Sequence, residues 1–313
     1  MEATEKKKRG LLTAIVVAVV GGLLLVHQWL PGLPGHPMSL VETFLPWLGL
    51  AVPLGLIVAA VRRSAVTALA CLTLAAVWVG VFREPLWSPD TPRTYDLTVV
   101  QHNVSDENTS PSRVARILLG PDPDVIALQE LTPSSLPAYR IALDPTHPYR
   151  ATVGTVGLWS KHPLADIARV DIKPAEVDAG WDRGLRAVVR SPRGDVTTYV
   201  AHLPSVRVRA TQGYATGWRD ESAARLGRAL AADRSTAVLV LGDLNGTVDD
   251  RGLAPVLSQV RGDRDDFAFS WPVTLPLARI DHVLARGEAE VGDTWTLPDT
   301  GSDHLPVAAR VRR

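Results

Sequence analysis

Five short polar clusters lie beside short apolar runs, and their side chains are of the types that bind metal ions and phosphate. The polar residues concerned are Asn103, Glu130, His202, Asp243, Asn245, Asp303 and His304. The apolar runs beside them contain many β-branched residues, which is typical of buried strands: Leu97–Val100, Val125–Leu128, Val196–Val200, Ala237–Leu241 and Val307–Val311. The middle of a buried strand is covered by the core, whereas its end is accessible. The ends of five strands can therefore bring these polar groups together in one cleft. Such a set suits a hard divalent cation and phosphate-ester chemistry.

Three of these positions have a structural alternative. Asp243 and Asn245 are two residues apart after the run Ala237–Leu241. In an extended segment, residues i and i+2 point to the same face, so both side chains can address one phosphate. Asp and Asn also favour turns after strands. Glu130 likewise follows an apolar run, and burying its carboxylate there without a partner would cost free energy. The structural alternative is that Glu130 faces water.

The charge balance limits the kind of partner. Residues 91–313 carry 26 Lys and Arg against 28 Asp and Glu, a net charge of −2. Proteins that hold nucleic acid non-specifically carry a basic surface, because neutralising phosphates supplies the affinity. Two groups of arginines could form local basic patches, but their alternating spacing is most simply interpreted as the solvated faces of strands: Arg183, Arg186 and Arg190, and Arg207 with Arg209. A nucleic-acid partner is therefore the less favoured interpretation.

Three apolar stretches of 18 to 20 residues come first in the chain: Leu11–Leu30, Phe44–Val61 and Ser64–Phe82. About 20 apolar residues cross a bilayer as a helix, so we expect three membrane-spanning helices. A signal peptide would explain the first stretch alone. The other alternative is one anchor followed by two buried helices. The single cysteine, Cys71, lies in the third stretch, so no disulfide can form within the chain.

The orientation follows from the basic residues that flank these stretches. Lys6–Arg9 precedes the first stretch and Arg62-Arg63 joins the second to the third, whereas the link Pro31–Thr43 has no Lys or Arg. The positive-inside rule puts both basic clusters in the cytoplasm. Three crossings then place residues 84–313 outside the cell membrane, although Arg83 is a basic residue on that outer side.

The composition divides the chain into a cytoplasmic tail (1–10), a three-helix membrane region (11–83), a stiff, extended proline-rich linker (84–94) and one further domain (95–313). In the last part, helical patterns alternate with strands and are predicted at Ser112–Leu119, Asp220–Ala232 and Gly252–Gln259. Gly184–Val189 and Val196–His202 are predicted to pair as a hairpin. This mixture predicts an α/β sandwich with antiparallel strand pairs.

Seven motifs occur in order along residues 95–313: Gln101–Asn103, Asp122–Glu130, Gly157–Leu164, Ala201–Leu203, Gly242–Asn245, Arg279–Leu284 and Ser302–Val307. Their order and spacing resemble the endonuclease/exonuclease/phosphatase superfamily, which includes DNase I-like nucleases, inositol phosphatases and neutral sphingomyelinases. The resemblance implies a four-layer α/β sandwich, with two central sheets flanked by helices and the cleft at one edge.

The resemblance implies that Glu130 binds a divalent cation. Asn103 would add an amide oxygen to the same ion or donate to phosphate, and Asp303 would add a second carboxylate. Oxygen ligands of this kind favour Mg²⁺ or Mn²⁺, and the histidines form no compact zinc motif. His102 and His282 neighbour site residues and should point to the opposite faces of their strands.

The resemblance also implies the catalytic roles. Asp243 would orient or deprotonate water, while Asn245 and His202 would hold phosphate oxygens. Asp281 would orient His304, which would stabilise negative charge in the transition state or serve as acid or base.

These observations predict metal-assisted hydrolysis of a phosphoester or phosphoanhydride at the outer face of the cell membrane. The three-helix plan is similar to that of VanJ-type teicoplanin-resistance membrane proteins of actinomycetes, which implies a lipid-linked phosphate or pyrophosphate of the cell envelope. The expected partner is thus a membrane lipid, and no protein partner is implied. The alternatives are an extracytoplasmic nuclease, a phospholipase- or sphingomyelinase-like phosphodiesterase, and a non-catalytic ligand-binding module. The intact set of Glu130, Asp243, Asn245 and His304 argues against the last.

Overall fold

A computed structural model describes residues 2–87, 94–209, 211, 213–262 and 266–313. Within these ranges the helices are α1 (Glu2–Val26), α2 (Pro37–Thr43), α3 (Ala51–Arg62), α4 (Ala65–Val81), α5 (Arg83–Leu86), α6 (Pro111–Leu118), α7 (Leu136–Leu143), α8 (Gly217–Ala232) and α9 (Ala254–Leu257). The strands are β1 (Leu97–Asn103), β2 (Val125–Gln129), β3 (Tyr149–Val153), β4 (Val156–Ser160), β5 (Leu164–Arg169), β6 (Gly184–Ser191), β7 (Gly194–His202), β8 (Arg207–Arg209), β9 (Gly213–Ala215), β10 (Ala237–Asp243), β11 (Arg261–Gly262), β12 (Asp281–Gly287), β13 (Glu290–Thr296) and β14 (Val307–Arg312).

Two six-stranded sheets pack face to face. Their strand orders are β13-β14-β1-β2-β4-β3 and β11-β12-β10-β7-β6-β5. Each contains one parallel pair near its centre, β1 with β2 and β7 with β10. Alternate side chains meet in a shared core, in which Val99 and Val125 of the first sheet and Val200 and Leu239 of the second are buried. The predicted α/β sandwich with antiparallel pairs is confirmed.

Helices cover the outer faces of both sheets. On the first sheet, Val114 and Leu118 of α6 pack with Ile126 of β2. On the second, Leu226 of α8 packs with Val238 of β10. Each such buried aliphatic side chain contributes roughly 1.5–3 kcal/mol relative to exposure. The layers therefore follow the order helix, sheet, sheet, helix, which leaves the ends of the strands as the open edge.

The predicted elements of this domain are present, and several of them differ in length from the prediction. All five apolar runs are strands, and the helices predicted at Ser112–Leu119 and Asp220–Ala232 correspond to α6 and α8. The predicted hairpin is β6 with β7, in which Gly184 pairs with Ala201. The helix predicted over Gly252–Gln259 is shorter, since a 3₁₀ turn at Arg251–Leu253 precedes α9.

The apolar N-terminal region forms a helical group. Two segments, Gly10–Trp29 and Leu45–Arg62, are long and apolar enough to cross a membrane by length and composition. The third apolar helix, α4, has 17 residues and falls just short of that length. Leu45–Leu50 is a 3₁₀ turn that leads into α3, in keeping with Pro46 and Pro53, which lack the N–H that a helix interior uses.

The predicted extended linker differs at its start. Glu84 and Pro85 belong to α5, a single helical turn that follows Phe82. Proline is tolerated in a first helical turn, because no intrahelical partner for its N–H is needed there. Residues 88–93 of the predicted linker lie outside the described residues.

A buried ion pair joins the N-terminal region to the sandwich. Glu42, in α2, is fully buried, and its Oε1 lies 2.6 Å from the Arg251 guanidinium. The same guanidinium donates to the backbone oxygens of Leu30 and His27, each at 2.6 Å. Arg251 thus ties the link after α1, and α2 itself, to the sandwich.

Aromatic side chains extend this contact. Trp47 Nε1 donates to the backbone oxygen of Leu277 at 2.7 Å. The Trp47 ring lies 5.6 Å from that of Phe269, and the Phe82 ring lies 5.8 Å from that of Phe267. Such ring pairs contribute about 0.5–1.5 kcal/mol beyond their buried area. The sandwich is therefore packed against one end of the helical group.

Candidate active site

Strand register brings three predicted residues side by side in the second sheet. Asp243 at the end of β10 pairs with His202 of β7 on one side and with Asp281 of β12 on the other. All three side chains are buried, and residues two positions away along each strand belong to the core between the sheets. By strand alternation the three polar groups therefore face the space between the sheets, at the open edge.

Asp281 holds His304. Nδ1 of His304 lies 2.7 Å from Asp281 Oδ2, which also accepts from Ser270 Oγ at 2.6 Å, and Gln101 Nε2 donates to Asp281 Oδ1 at 2.8 Å. Burial opposes ionisation of this carboxyl, but the charge of His304 and these hydrogen bonds outweigh it and lower the pKa of Asp281. Burial also disfavours the imidazolium, yet the nearby carboxylates outweigh it and raise the pKa of His304 to about 10.

Asp243 lies at the centre of the cluster. Its Oδ2 is 3.8 Å from His304 Nε2 and 3.7 Å from His202 Nε2. Burial raises the pKa of Asp243 above its ordinary value, with Asp281 adding to this effect and the charge of His304 opposing it. A carboxyl with a raised pKa is a better proton acceptor near neutral pH than an ordinary Asp.

Glu130 enters the cleft through an unusual backbone conformation. Its φ of +60° interrupts the alternation of β2, which would otherwise direct it toward Ile126 and Leu128 on the helix-covered face. A non-glycine residue in this region costs about 1–3 kcal/mol. Its Oε1 accepts from Asn103 Nδ2, and its Oε2 accepts from the Asp106 backbone, both at 3.1 Å. Backbone strain at this position therefore serves to aim a carboxylate.

The amide of Asn103 links two carboxylates. Its Nδ2 lies 3.1 Å from Glu130 Oε1 and 3.1 Å from Asp243 Oδ2. Its Oδ1 accepts from the Ser105 backbone at 3.1 Å. Asn103 thus presents its nitrogen to the carboxylates, rather than the amide oxygen expected of a metal ligand.

Asn245 and Asp303 are placed at the margin of the cluster. Asn245 has a φ of +49°, so the extended geometry assumed for Asp243 and Asn245 is wrong. Its Nδ2 donates to the backbone oxygen of Leu203 at 2.9 Å, while its backbone N–H donates to Asp243 Oδ1 at 2.9 Å. The side chain of Asp303 is 64% exposed, and its Oδ2 lies 3.8 Å from His304 Nε2. Asp303 therefore lies at the rim of the cleft.

His102 and His282 lie on the outer faces of their strands, as expected from strand alternation. Nε2 of His102 is 2.8 Å from Thr300 Oγ1, and Nε2 of His282 is 2.8 Å from the backbone oxygen of Gly246. Burial lowers the pKa of His102 to about 3 and that of His282 to about 4. Both are therefore neutral, structural histidines.

His202 has an arginine neighbour that was interpreted from the sequence as part of a solvated strand face. Arg183 NH1 lies 3.1 Å from His202 Nδ1. Burial lowers the pKa of His202, and the positive charges of Arg183 and His304 lower it further, so this imidazole is neutral. The predicted hairpin of β6 and β7 is the sequence signal that could have revealed this contact. Because Gly184 pairs with Ala201, Arg183 just before β6 lies beside His202 at the end of β7.

The donors at the cleft fit a divalent cation. Asp243, Asp281 and His304 each offer a ligand atom within 4.8 Å of the others. Asp281 already accepts three hydrogen bonds, one of them from His304, so this pair is better described as a charged dyad. The carboxylates of Glu130 and Asp243 instead converge on the same Asn103 nitrogen. Carboxylate oxygens are the ligands that Mg²⁺ prefers, and these two residues would hold the ion.

The arrangement can hydrolyse a phosphate ester. A divalent ion, when bound, supplies charge that polarises a phosphoryl oxygen and stabilises the leaving oxygen. Asp243 can orient water and accept its proton at Oδ2. The charged His304, held by Asp281, and Arg183 can stabilise negative charge on the phosphoryl oxygens, and neutral His202 can donate to one of them.

Comparisons with known proteins agree with the fold described above. Sphingomyelinase C from Streptomyces griseocarneus is 18% identical, with a TM-score of 0.50, and 69% of this chain covers 99% of that one. A mannosyl-6-phosphatase from Bacteroides thetaiotaomicron is 17% identical, with a TM-score of 0.56, and the coverages are 69% and 100%. A β-toxin variant from Staphylococcus aureus with bound magnesium ions is 15% identical, with a TM-score of 0.54 and coverages of 69% and 99%.

These three structures share the fold with this chain at low sequence identity. The family is assigned from the sequence itself. The chain has no significant match among curated protein sequences. Residues 100–304, well over half of the chain, match the model of the endonuclease/exonuclease/phosphatase family, and this span contains every predicted site residue. The chain therefore belongs to the endonuclease/exonuclease/phosphatase family.

Proposed function

We propose that this protein is a membrane-anchored, divalent-metal-dependent phosphoesterase whose cleft faces the extracytoplasmic side and hydrolyses a lipid-linked phosphate or pyrophosphate of the cell envelope. Mg²⁺ or Mn²⁺ is the proposed ion. Glu130 and Asp243 bind it, with Asp303 at the rim as a further oxygen ligand. Asp243 and His304 carry the chemistry.

One observation carries the membrane part of this proposal, namely which end of the helical group contacts the sandwich. The contact is made by the residues that directly follow α1, by Glu42 of α2, and by Phe82 after α4. At the other end, Thr67 Oγ1 donates to the backbone oxygen of Gly10 at 2.9 Å, next to the basic pair Arg62-Arg63. Both basic clusters are therefore remote from the sandwich, which supports an extracytoplasmic cleft by the positive-inside rule.

The exposed surface of the helical group supports three crossings. Leu54, Ile57 and Leu69 are each more than 60% exposed, and many other aliphatic side chains on α1, α3 and α4 are also exposed. Apolar area of this extent is covered by lipid or by protein. The 17 residues of α4 lie at the short end of the range for a spanning helix. We propose that α1, the segment Leu45–Arg62 and α4 all cross the membrane.

The substrate is tested by activity. Full-length protein in neutral detergent is assayed for Mg²⁺-dependent phosphate release from a polyprenyl pyrophosphate and a polyprenyl monophosphate, with sphingomyelin and plasmid DNA cleavage measured in parallel. Asp243→Ala serves as the blank. Release from the polyprenyl phosphates alone supports the proposal. Cleavage of DNA or sphingomyelin without phosphate release would replace it with a surface nuclease or a phospholipid phosphodiesterase.

The topology is tested separately from the activity. A reporter enzyme that is active only outside the cytoplasm is fused after Arg313, and in a second fusion the same reporter is placed within the N-terminal tail. The first fusion should be active and the second silent at equal expression. The reverse pattern would overturn the proposed orientation.

A further inference from the structure

A cavity of about 680 Å³ lies beside the cleft and shares Arg183 with it. Its walls come from the segment between β5 and β6, the segment after β7, the hairpin of β8 and β9, the start of α8 and the link between α1 and α2. We call it the arginine cavity and define it by six of its lining residues: His36, Trp181, Arg183, Arg207, Arg209 and Trp218.

Arg183 joins the arginine cavity to the cleft. Its NH1 contacts His202 at 3.1 Å, and its charge interacts with the carboxylates of Glu130 and Asp243. Pro204 and Ser205, which also line the cavity, follow His202 after a single residue. A ligand that reaches past Arg183 can therefore occupy cleft and cavity together.

The cavity is strongly basic although the domain as a whole is not. Three arginines line it, whereas residues 91–313 carry a net charge of −2. Within the described ranges, the guanidinium groups of Arg207 and Arg209 have no carboxylate partner. Glu176 is the acidic residue among the described lining residues, and its Oε2 already accepts from Trp218 Nε1 at 3.2 Å. In the part of the chain that the structure describes, no paired carboxylate therefore balances the charges of Arg207 and Arg209.

The N-terminal region closes one side of the arginine cavity. Gly35 and His36 of the link line it, and the Tyr214 backbone donates to the Gly35 oxygen at 2.9 Å. Gly213 has a φ of +65°, and a Cβ there would lie 2.6 Å from that same oxygen. This close approach holds the hairpin against the link, so the cavity lies at the level where the first apolar segment ends.

We propose that the arginine cavity is a second phosphate-binding site that holds a phosphoryl group which is not cleaved. Guanidinium groups pair with phosphate oxygens in a two-pronged geometry, and Arg183 over the Trp181 ring, at 5.0 Å, is held ready for such a pair. The phosphoryl group belongs either to the substrate itself or to the head group of a neighbouring anionic lipid. The inference rests on the proposed function for its biological setting, but the binding site is testable without it.

Binding is measured first, by calorimetry with inorganic pyrophosphate and EDTA present, so that neither activity nor metal contributes. The proteins are full-length wild type, Arg207→Gln/Arg209→Gln, and Arg190→Gln as a control, since Arg190 is an exposed arginine on β6 outside the cavity lining. The double variant should bind at least ~10-fold more weakly, as expected for lost hydrogen bonds between charged groups, and the control should match wild type. Equal affinity in all three proteins would overturn the proposal, and Arg209→Gln alone provides a milder variant if the double variant unfolds early.

Two further measurements identify the source of the phosphoryl group. If the substrate supplies it, the double variant should raise KM for a polyprenyl pyrophosphate ~10-fold, with kcat nearly unchanged and KM for the monophosphate unchanged. If a neighbouring lipid supplies it, the double variant should bind a short-chain phosphatidylglycerol more weakly than wild type in the same calorimetric measurement, while both KM values stay level. Absence of lipid hydrolysis by the wild type would defeat the proposed function and leave the calorimetric result standing.

Discussion

The cleft and the arginine cavity are neighbours that share Arg183, yet they are built in opposite ways. The cleft consists of side chains on registered strand ends, nearly all buried and each held by hydrogen bonds. The cavity consists of a two-stranded hairpin, loops and the helix link, and its Arg207 and Arg209 are exposed. Bond cleavage requires catalytic groups that are fixed in position before the substrate binds, whereas recognition of a head group tolerates flexible side chains on loops. The difference suggests that chemistry and substrate choice can be altered separately.

The largest effect should come from the centre of the cleft. Asp243→Asn keeps the shape of the side chain but removes its ability to accept a proton, and turnover should fall at least ~100-fold. His304→Ala should lose as much. Asp178→Asn, an exposed carboxylate outside the cleft, is the matched control and should keep full activity. Turnover within a few-fold of wild type, in a variant with an unchanged unfolding temperature, would remove the residue from the mechanism.

A smaller loss is expected from Asp281→Asn, which positions His304 instead of touching the substrate. The Asp281 carboxylate favours the imidazolium, so its removal lowers the pKa of His304, and the charged form is lost at a lower pH. Turnover at neutral pH should fall ~10–100-fold, and the alkaline limb of the kcat profile should move to lower pH. Ser270→Ala, which removes one hydrogen bond but keeps the charge, should leave that limb nearly in place. An alkaline limb that does not move in Asp281→Asn would contradict the dyad.

Breaking the contact between the helices and the sandwich should affect stability and lipid turnover, but not the cleft. Arg251→Met leaves Glu42 buried without its cation and should lower the free energy of unfolding by about 2 kcal/mol or more. Arg251 is 27% exposed, so the full cost of a completely buried pair is not expected. The double variant Glu42→Gln/Arg251→Met should recover part of the loss, because no charge is left unpaired. Thermal unfolding measures the loss of stability. Rates of hydrolysis of a soluble phosphodiester and of a lipid substrate are compared to measure the effect on lipid turnover. Equal losses on both substrates would argue against a role of this contact in lipid delivery.

The mildest change concerns the hairpin of the arginine cavity. Gly213→Ala adds a methyl group against the Gly35 oxygen in a left-handed backbone and should cost about 1–2 kcal/mol. Loosening the hairpin should weaken pyrophosphate binding a few-fold, with kcat retained. Gly180→Ala, where an added Cβ meets nothing within 4 Å and which lies outside the cavity lining, is the control. If Gly213→Ala lowered kcat instead, the separation between cleft and cavity would be lost.

Much of the sandwich could be predicted from the sequence, because its signals are local. Apolar runs such as Ala237–Leu241 can be buried only as strands in this context, and the polar residue after each run must lie at the sheet edge. Alternation also assigned His102 and His282 to the outer faces. It failed at Asn245, because the period of two holds only while the backbone stays extended.

Residue order along the chain thus determined the family, the strand ends and the inventory of carboxylate, amide and imidazole groups. Tertiary structure decided which of these groups meet. Glu130 reaches the cleft only through a positive φ, and Arg183 joins His202 only through the pairing of β6 with β7. Glu42 and Arg251 are 209 residues apart, and no local pattern reports such a contact. The physical reason is that the periodicity of apolar residues indicates only which face of a helix or strand is buried. Sites and interfaces depend on contacts between segments that meet only after folding.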